Sequence, residues 1–324
     1  MNLSRNRKEI HPMNTRILFM GTPEIAATAL SSLIDAKQNI VGVLTREDKP
    51  RGRGHNMMPT PVKVLATEHG IPVYTPKTLR DEAFATLLSE INPDLIIVVA
   101  YGKILPKNVL DYPRLGALNA HVSLLPKYRG AAPMQRAIMN GETETGVTVM
   151  YMAEGLDTGD IMLTEAFPIG ESDDFETVHD TSARISGQLL LRAIALLEEG
   201  SAPRIPQDDS MACYAEKIEK EDCHIDFTLP ASVVSARVRG VTPIPMAFAY
   251  QDGKMLKLFR PTVTNETGTP GEVISVDGKG EGSITVACGE GAVRFTGVIP
   301  EGKGRMSAGD FVRGRKINAG DFLK

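Results

Sequence analysis

Asn119, His121 and Ser123 follow one another at every second position in Leu118-Asn119-Ala120-His121-Val122-Ser123-Leu124-Leu125-Pro126-Lys127-Tyr128-Arg129-Gly130, just behind an apolar run. Further along, Gly155-Leu156-Asp157-Thr158-Gly159-Asp160 presents a carboxylate between glycines. In an extended segment Asn119 and His121 leave the same face, so an amide N–H and a protonatable ring can converge on one substrate atom. Acyl transfer requires such a pair, because negative charge develops on a carbonyl oxygen while the attacking amine gives up a proton. Asp157 could then orient His121. Each residue alone fits a blander account, a buried histidine capped by a neighbouring amide and an aspartate serving a turn. The three together fit chemistry better.

Such a constellation needs a strand end to hold it. Arg16-Ile17-Leu18-Phe19-Met20 reads as a buried strand that runs into Gly21-Thr22-Pro23-Glu24, with Thr22 suited to cap a helix reaching about Leu33. Ile40–Leu44 is a second strand, and this strand–helix–strand rhythm predicts a parallel sheet. The continuous run Leu95-Ile96-Ile97-Val98-Val99-Ala100 predicts a central strand covered on both faces, whose exit Tyr101-Gly102-Lys103-Ile104-Leu105-Pro106 lies at the carboxyl edge where open α/β sheets bind ligands. Val147–Met152 and Ile161–Leu163 read as strands, and Val178–Leu197 as a long helix. The single glycine after the first strand lacks the G-x-G-x-x-G fingerprint, which counts against a nicotinamide enzyme.

Two other stretches stand apart. Thr45–Asn56 is charged and punctuated by glycine, which predicts a mobile surface loop. From Ile225 onward a short helix and five brief apolar runs (246–250, 255–259, 273–276, 284–287 and 293–298) predict a small β-barrel. Ser201–Ser210 reads as a linker. At 324 residues and 42% hydrophobic content the chain can build two ordinary cores, and no apolar run is long enough for a spanning helix, so a cytoplasmic protein without membrane contact is expected. Three cysteines without C-x-x-C spacing support neither a disulfide framework nor a zinc site. A net charge of −4 argues against a surface that clings to nucleic acid everywhere, though not against a local basic patch.

Asn119-x-His121-x-Ser123-Leu124-Leu125-Pro126, Arg129-Gly130-Ala131-Ala132-Pro133 and Leu156-Asp157-Thr158-Gly159-Asp160, with Gly21-Thr22-Pro23 before them and Tyr214-Ala215-Glu216-Lys217 after, resemble the formyltransferase family that uses 10-formyltetrahydrofolate. The resemblance runs from about residue 14 to the C-terminus, with one departure: position 122, commonly small in this family, is valine. It implies a Rossmann-like parallel-sheet formyltransferase domain at 14–202, a linker at 203–221 and an OB-like barrel at 222–324, with 1–13 as a disordered extension. It implies catalysis by Asn119, His121 and Asp157, and folate contact by Ser123, Leu124, Leu125, Pro126, Lys103, Ile104 and Leu105. The charged loop is similar to the insertion by which tRNA-acting members grip their acceptor, which implies tRNA contact by Arg46, Lys49, Arg51 and above all Arg53.

The activity implied is transfer of a formyl group from 10-formyltetrahydrofolate to the α-amine of methionine on initiator tRNA, by a monomer that needs no metal. Formylation of a nucleotide-sugar amine, hydrolysis of the folate, and a non-catalytic RNA- or folate-binding module are the alternatives. The charged loop and the final barrel favour tRNA over a small amine. Binding alone would not call for Asn119, His121 and Asp157 together.

Overall fold

The computed structural model describes residues 15–51, 56–314 and 316–324. The extension expected at 1–13 therefore lies outside the described residues, as does Arg53. The chain divides into two compact units, one formed by Met1–His121, Thr148–Thr164 and Ala183–Gln207, the other by Val122–Val147, Glu165–Ser182 and Asp208–Lys324.

The first unit is organised by a sheet that begins β1 (Ile17–Gly21), α1 (Glu24–Asp35), β2 (Ile40–Leu44), then a hairpin of β3 (Lys49–Arg51) and β4 (Asn56–Met58). It continues with α2 (Pro61–Glu68), β5 (Val73–Tyr74), α3 (Glu82–Ile91), β6 (Leu95–Val99), α4 (Lys107–Leu110) and β7 (Ala117–His121). Further along come β9 (Glu144–Tyr151), β10 (Ile161–Pro168) and α6 (Phe175–Glu198), whose residues are divided between the units, while β8 (Arg129–Gly130) and α5 (Pro133–Met139) fall in the second unit. The strand order is β10-β9-β7-β6-β1-β2-β5, parallel from β7 through β5, with β9 antiparallel to β7. Every residue of β1 and β6 is buried, as expected for strands covered on both faces. Leu18, Met20, Ile96 and Val98 pack with Phe84, Leu88 and Ile91 of α3 on one side of the sheet.

Two local expectations change. Thr22 does not cap α1, whose N-cap is Pro23 without a side-chain bond; its hydroxyl donates instead to the Tyr101 carbonyl at 3.2 Å, tying the ends of β1 and β6. The charged stretch after β2 is not structureless, since Lys49 pairs with Met58, Pro50 with Met57 and Arg51 with Asn56 across the hairpin. Backbone pairing of this kind leaves little trace in a polar, glycine-rich sequence.

In the second unit, β11 (Tyr214–Ala215) pairs with β8, and α7 (Ala231–Gly240) precedes β12 (Phe248–Gln251), β13 (Lys254–Thr264), β14 (Val273–Asp277), β15 (Ser283–Ala287), β16 (Ala292–Pro300), β17 (Met306–Ser307) and α8 (Ala308–Arg313). The five expected strands are all present, in an antiparallel sheet ordered β12-β13-β16-β15-β14 with β17 beside β16. Its core joins Val234, Val238, Leu258, Val286 and Phe295.

Arg136 of α5 fastens the segment that leads into this sheet. Its guanidinium donates to both Asp222 carboxylate oxygens at 2.9 and 2.8 Å and to the carbonyls of Glu216 and Lys217 at 3.1 Å each. That bond holds the Asp222 carboxyl below its ordinary value of 3.8. A lowered folded-state pKa adds stability that is present above the unfolded value and lost as pH falls through the folded one. Asp222→Asn is therefore expected to lower unfolding free energy by about 1–2 kcal/mol at neutral pH. In urea melts, the gap to the parent chain should close below about pH 4, the region of the unfolded carboxylate.

Candidate active site

Asn119 and His121 occupy alternate positions at the end of β7, Asn119 opposite Val98 of β6 and Met150 of β9, His121 opposite Thr148. Period-two geometry thus sends both side chains to one face, as the spacing predicts. His121 is buried, with 6% of its side chain exposed, and its Nδ1 lies 3.6 Å from Oδ2 of Asp157, itself 13% exposed. That separation is longer than a hydrogen bond but close enough for the carboxylate to orient the ring. Asn119 is half-buried, and its amide makes no side-chain hydrogen bond to another of the described residues. It is available to donate to an incoming group.

The backbone here is strained. Asp157 has φ 52°, and Ala100, at the exit of β6, has φ 45°. Left-handed conformations at non-glycine residues are costly and persist only where surrounding structure imposes them, a pattern typical of functional loops. The Tyr151 N–H donates to the Asp160 carbonyl at 2.9 Å, which holds the far end of the Asp157 loop to β9. Residues 204–207, read from sequence as linker, lie against the same loop: Ile205 and Ile161 exchange backbone bonds at 2.8 and 3.0 Å, and the Arg204 guanidinium sits 3.6 Å over the Tyr151 ring.

The residues expected at the folate site separate into different roles. Ile104 is exposed, whereas Leu105 is buried in the core with Tyr101, Val109 and Leu110. Lys103 donates to the carbonyls of Pro76 and Lys77 at 2.5 and 3.0 Å, bracing the loop. Tyr101 is almost fully buried; burial pushes its hydroxyl up to about 12, and the oxygen has no hydrogen-bond partner among the described residues. In the second unit Ser123 is fully buried and donates to the Lys127 carbonyl at 2.7 Å, closing the turn that contains Leu124, Leu125 and a cis Leu125–Pro126 peptide. Leu125 is buried, while Leu124 and Pro126 are half-buried. Val122 is half-buried as well.

The basic residues also divide. Arg46 donates to the Gly102 carbonyl, which places it beside the loop after β6. Lys49 is exposed on the hairpin, followed by exposed Met57 and Met58 on its second strand. Arg51 pairs through its backbone only as far as the described residues extend, and Arg53 lies beyond them.

An amide donor and an imidazole at the carboxyl end of β7, met by a carboxylate from the loop between β9 and β10, can stabilise a tetrahedral intermediate and accept an amine proton. Comparisons with known proteins agree with that chemistry. Residues 13–194 match the family described as Formyl transferase, and residues 217–316 match Formyl transferase, C-terminal domain. The chain is 45% identical to a methionyl-tRNA formyltransferase of Citrifermentans bemidjiense over 95% of its own length and 96% of that protein's. Two solved structures share the fold. WlaRD, a sugar 3N-formyl transferase crystallised in the presence of dTDP and 5-N-formyl-THF, superposes with a TM-score of 0.65 at 18% identity, covering 89% of this chain and 98% of that one. HypX from Aquifex aeolicus in complex with tetrahydrofolic acid gives 0.63 at 20% identity over 96% of this chain, which spans about half of the HypX chain, 51%. By the matches to both halves and the near full-length identity, the chain belongs to the formyl transferase family, and within it to the methionyl-tRNA formyltransferases.

Proposed function

We propose that the chain moves a formyl group from 10-formyltetrahydrofolate to the α-amine of methionine on initiator tRNA, with Asn119, His121 and Asp157 as the reacting site. The neutral amine attacks the formyl carbon, and the carbonyl oxygen takes up negative charge against the Asn119 amide and the His121 ring. Asp157 orients His121 and accepts the amine proton through a water. The bond from the formyl carbon to N10 then breaks, the proton taken up by Asp157 passes to N10, and tetrahydrofolate leaves. The observation that carries this reading is the pairing of His121 with Asp157 at 3.6 Å beside Asn119, at the mouth of the sheet.

Lys103, Ile104 and Leu105, and the Ser123-Leu124-Leu125-Pro126 turn, are the expected folate contacts. Lys49, Arg51 and Arg53 of the hairpin region are the expected tRNA contacts, with Arg46 bracing its base. Residues 14–202 form the catalytic domain, 203–221 the connection and 222–324 the C-terminal domain. Charged initiator tRNA is a cytoplasmic substrate, so the enzyme is expected there, acting as a monomer.

The test is formyl transfer with charged initiator tRNA, charged elongator tRNA and a nucleotide-sugar amine as separate acceptors. Transfer confined to initiator tRNA is expected, and faster transfer to the sugar would overturn the assignment. With the same assay, Arg53→Ala is expected to lower kcat/KM for initiator tRNA about tenfold while leaving the folate KM unchanged. Identical tRNA kinetics for the variant would remove the hairpin from the acceptor site.

A further inference from the structure

The geometry points to Gln207 as a positioning residue for the formyl-transfer step, acting through the backbone of the Asp157 loop. Its side-chain amide donates to the Asp157 carbonyl at 2.9 Å and to the Gly159 carbonyl at 2.7 Å. One planar NH2 group has two hydrogens, and here both are directed at carbonyls two residues apart in the loop. The side chain thus bridges the loop across Thr158 and fixes the direction in which Asp157 leaves it.

Three further observations make this a strap rather than a chance contact. Asp157 holds a left-handed φ of 52°, a conformation that a non-glycine residue keeps only when its surroundings impose it. Backbone bonds between Ile205 and Ile161 bring Gln207 alongside the loop in a fixed register. Arg204, stacked 3.6 Å over Tyr151 and 3.5 Å from the Asp160 carboxylate, pins the start of the same segment. Residues 204–207 therefore clamp the loop that carries Asp157, although in sequence they follow it by almost fifty positions and belong to the stretch that leads toward the C-terminal domain. These two bonds reach the backbone of the loop. The effect of Gln207 is on where the Asp157 carboxylate stands relative to His121 Nδ1.

This inference rests on the catalytic reading of Asp157, so the experiment measures both. Gln207→Met removes the two donors at similar length, and Gln207→Glu replaces them with oxygens that repel the carbonyls. Both variants are compared with Asp157→Asn and with the double variant Asp157→Asn/Gln207→Glu in formyl transfer to charged initiator tRNA. Thermal melts are recorded for all of them. Each Gln207 variant is expected to lose about tenfold or more in kcat, with the KM for folate and for tRNA within about twofold of the parent, since displacing a catalytic group by an ångström costs rate rather than binding. The double variant is expected to be no slower than Asp157→Asn alone, because the two changes act on one group. Unchanged kcat in both Gln207 variants alongside an impaired Asp157→Asn would overturn the role of Gln207 and leave the site intact. A fully active Asp157→Asn would instead remove the site itself. Raised KM at unchanged kcat, or rate losses that track a collapse of the melting transition, would make Gln207 a binding or folding residue and equally refute the proposal.

Discussion

Alanine at Asn119, His121 or Asp157 is expected to lower kcat by on the order of a hundredfold or more, about 2.7 kcal/mol of transition-state stabilisation, while the folded structure persists. Asn119 is half-buried at a strand end and its amide hydrogen-bonds to no side chain among the described residues, so its loss leaves no orphaned partner among them. His121 is more buried, and its truncation opens space at the end of β7 rather than in the middle of the core. Because Asp157 acts on His121, the losses for these two should not add, and their double variant should fall close to the worse single one. Steady-state turnover at saturating folate and tRNA decides the matter. Near-parent turnover in any one of the three would refute that residue's part in the reaction.

Gly159→Ala is expected to have an effect of the same size without touching a functional group. A methyl on Gly159 would overlap the carbonyl oxygen of Tyr151, and would meet the Tyr151 carbonyl carbon at 2.8 Å. Both are backbone atoms of β9, anchored there by pairing with Leu118 and by the bond from the Tyr151 N–H to Asp160, so neither can step aside as a flexible side chain would. The loop must move instead, and Asp157 moves with it. A hundredfold fall in kcat is a fair measure of an ångström's displacement of a reacting group. Thermal melts should change far less than turnover, because residues 153–156 before buried Gly159 are exposed and the clash can be relieved by shifting that loop. Parent-like kinetics for Gly159→Ala would mean that the close approach to β9 has no bearing on the site.

Much of this was legible before any coordinates. The apolar runs at Ile17–Met20 and Leu95–Val99 admit little but buried parallel strands, and the alternate spacing of Asn119 and His121 survives as their shared face. What stayed hidden depends on contacts distant in sequence. Nothing local tells that Leu105 turns into the core while Ile104 beside it faces solvent, since both are aliphatic and the chain leaves regular strand geometry there. Thr22 looks like a helix cap because threonine favours that role, yet the helix starts one residue later with Pro23 at the cap position, and the Thr22 hydroxyl donates to the Tyr101 carbonyl. Gln207 sits among prolines and aspartates that read as a connection, and only the folded chain brings its amide to the Asp157 loop.

Among the described residues, β3 and β4 pair with each other in a two-stranded sheet apart from the seven-stranded one. Its length and composition can therefore drift across generations without disturbing the register of any strand in the main sheet. On the proposed assignment of the hairpin to the tRNA acceptor, acceptor preference and chemical competence sit on separately variable parts of one chain. A lineage could acquire a new amine substrate by exchanging a dozen codons, with the formyl-transfer apparatus inherited unaltered.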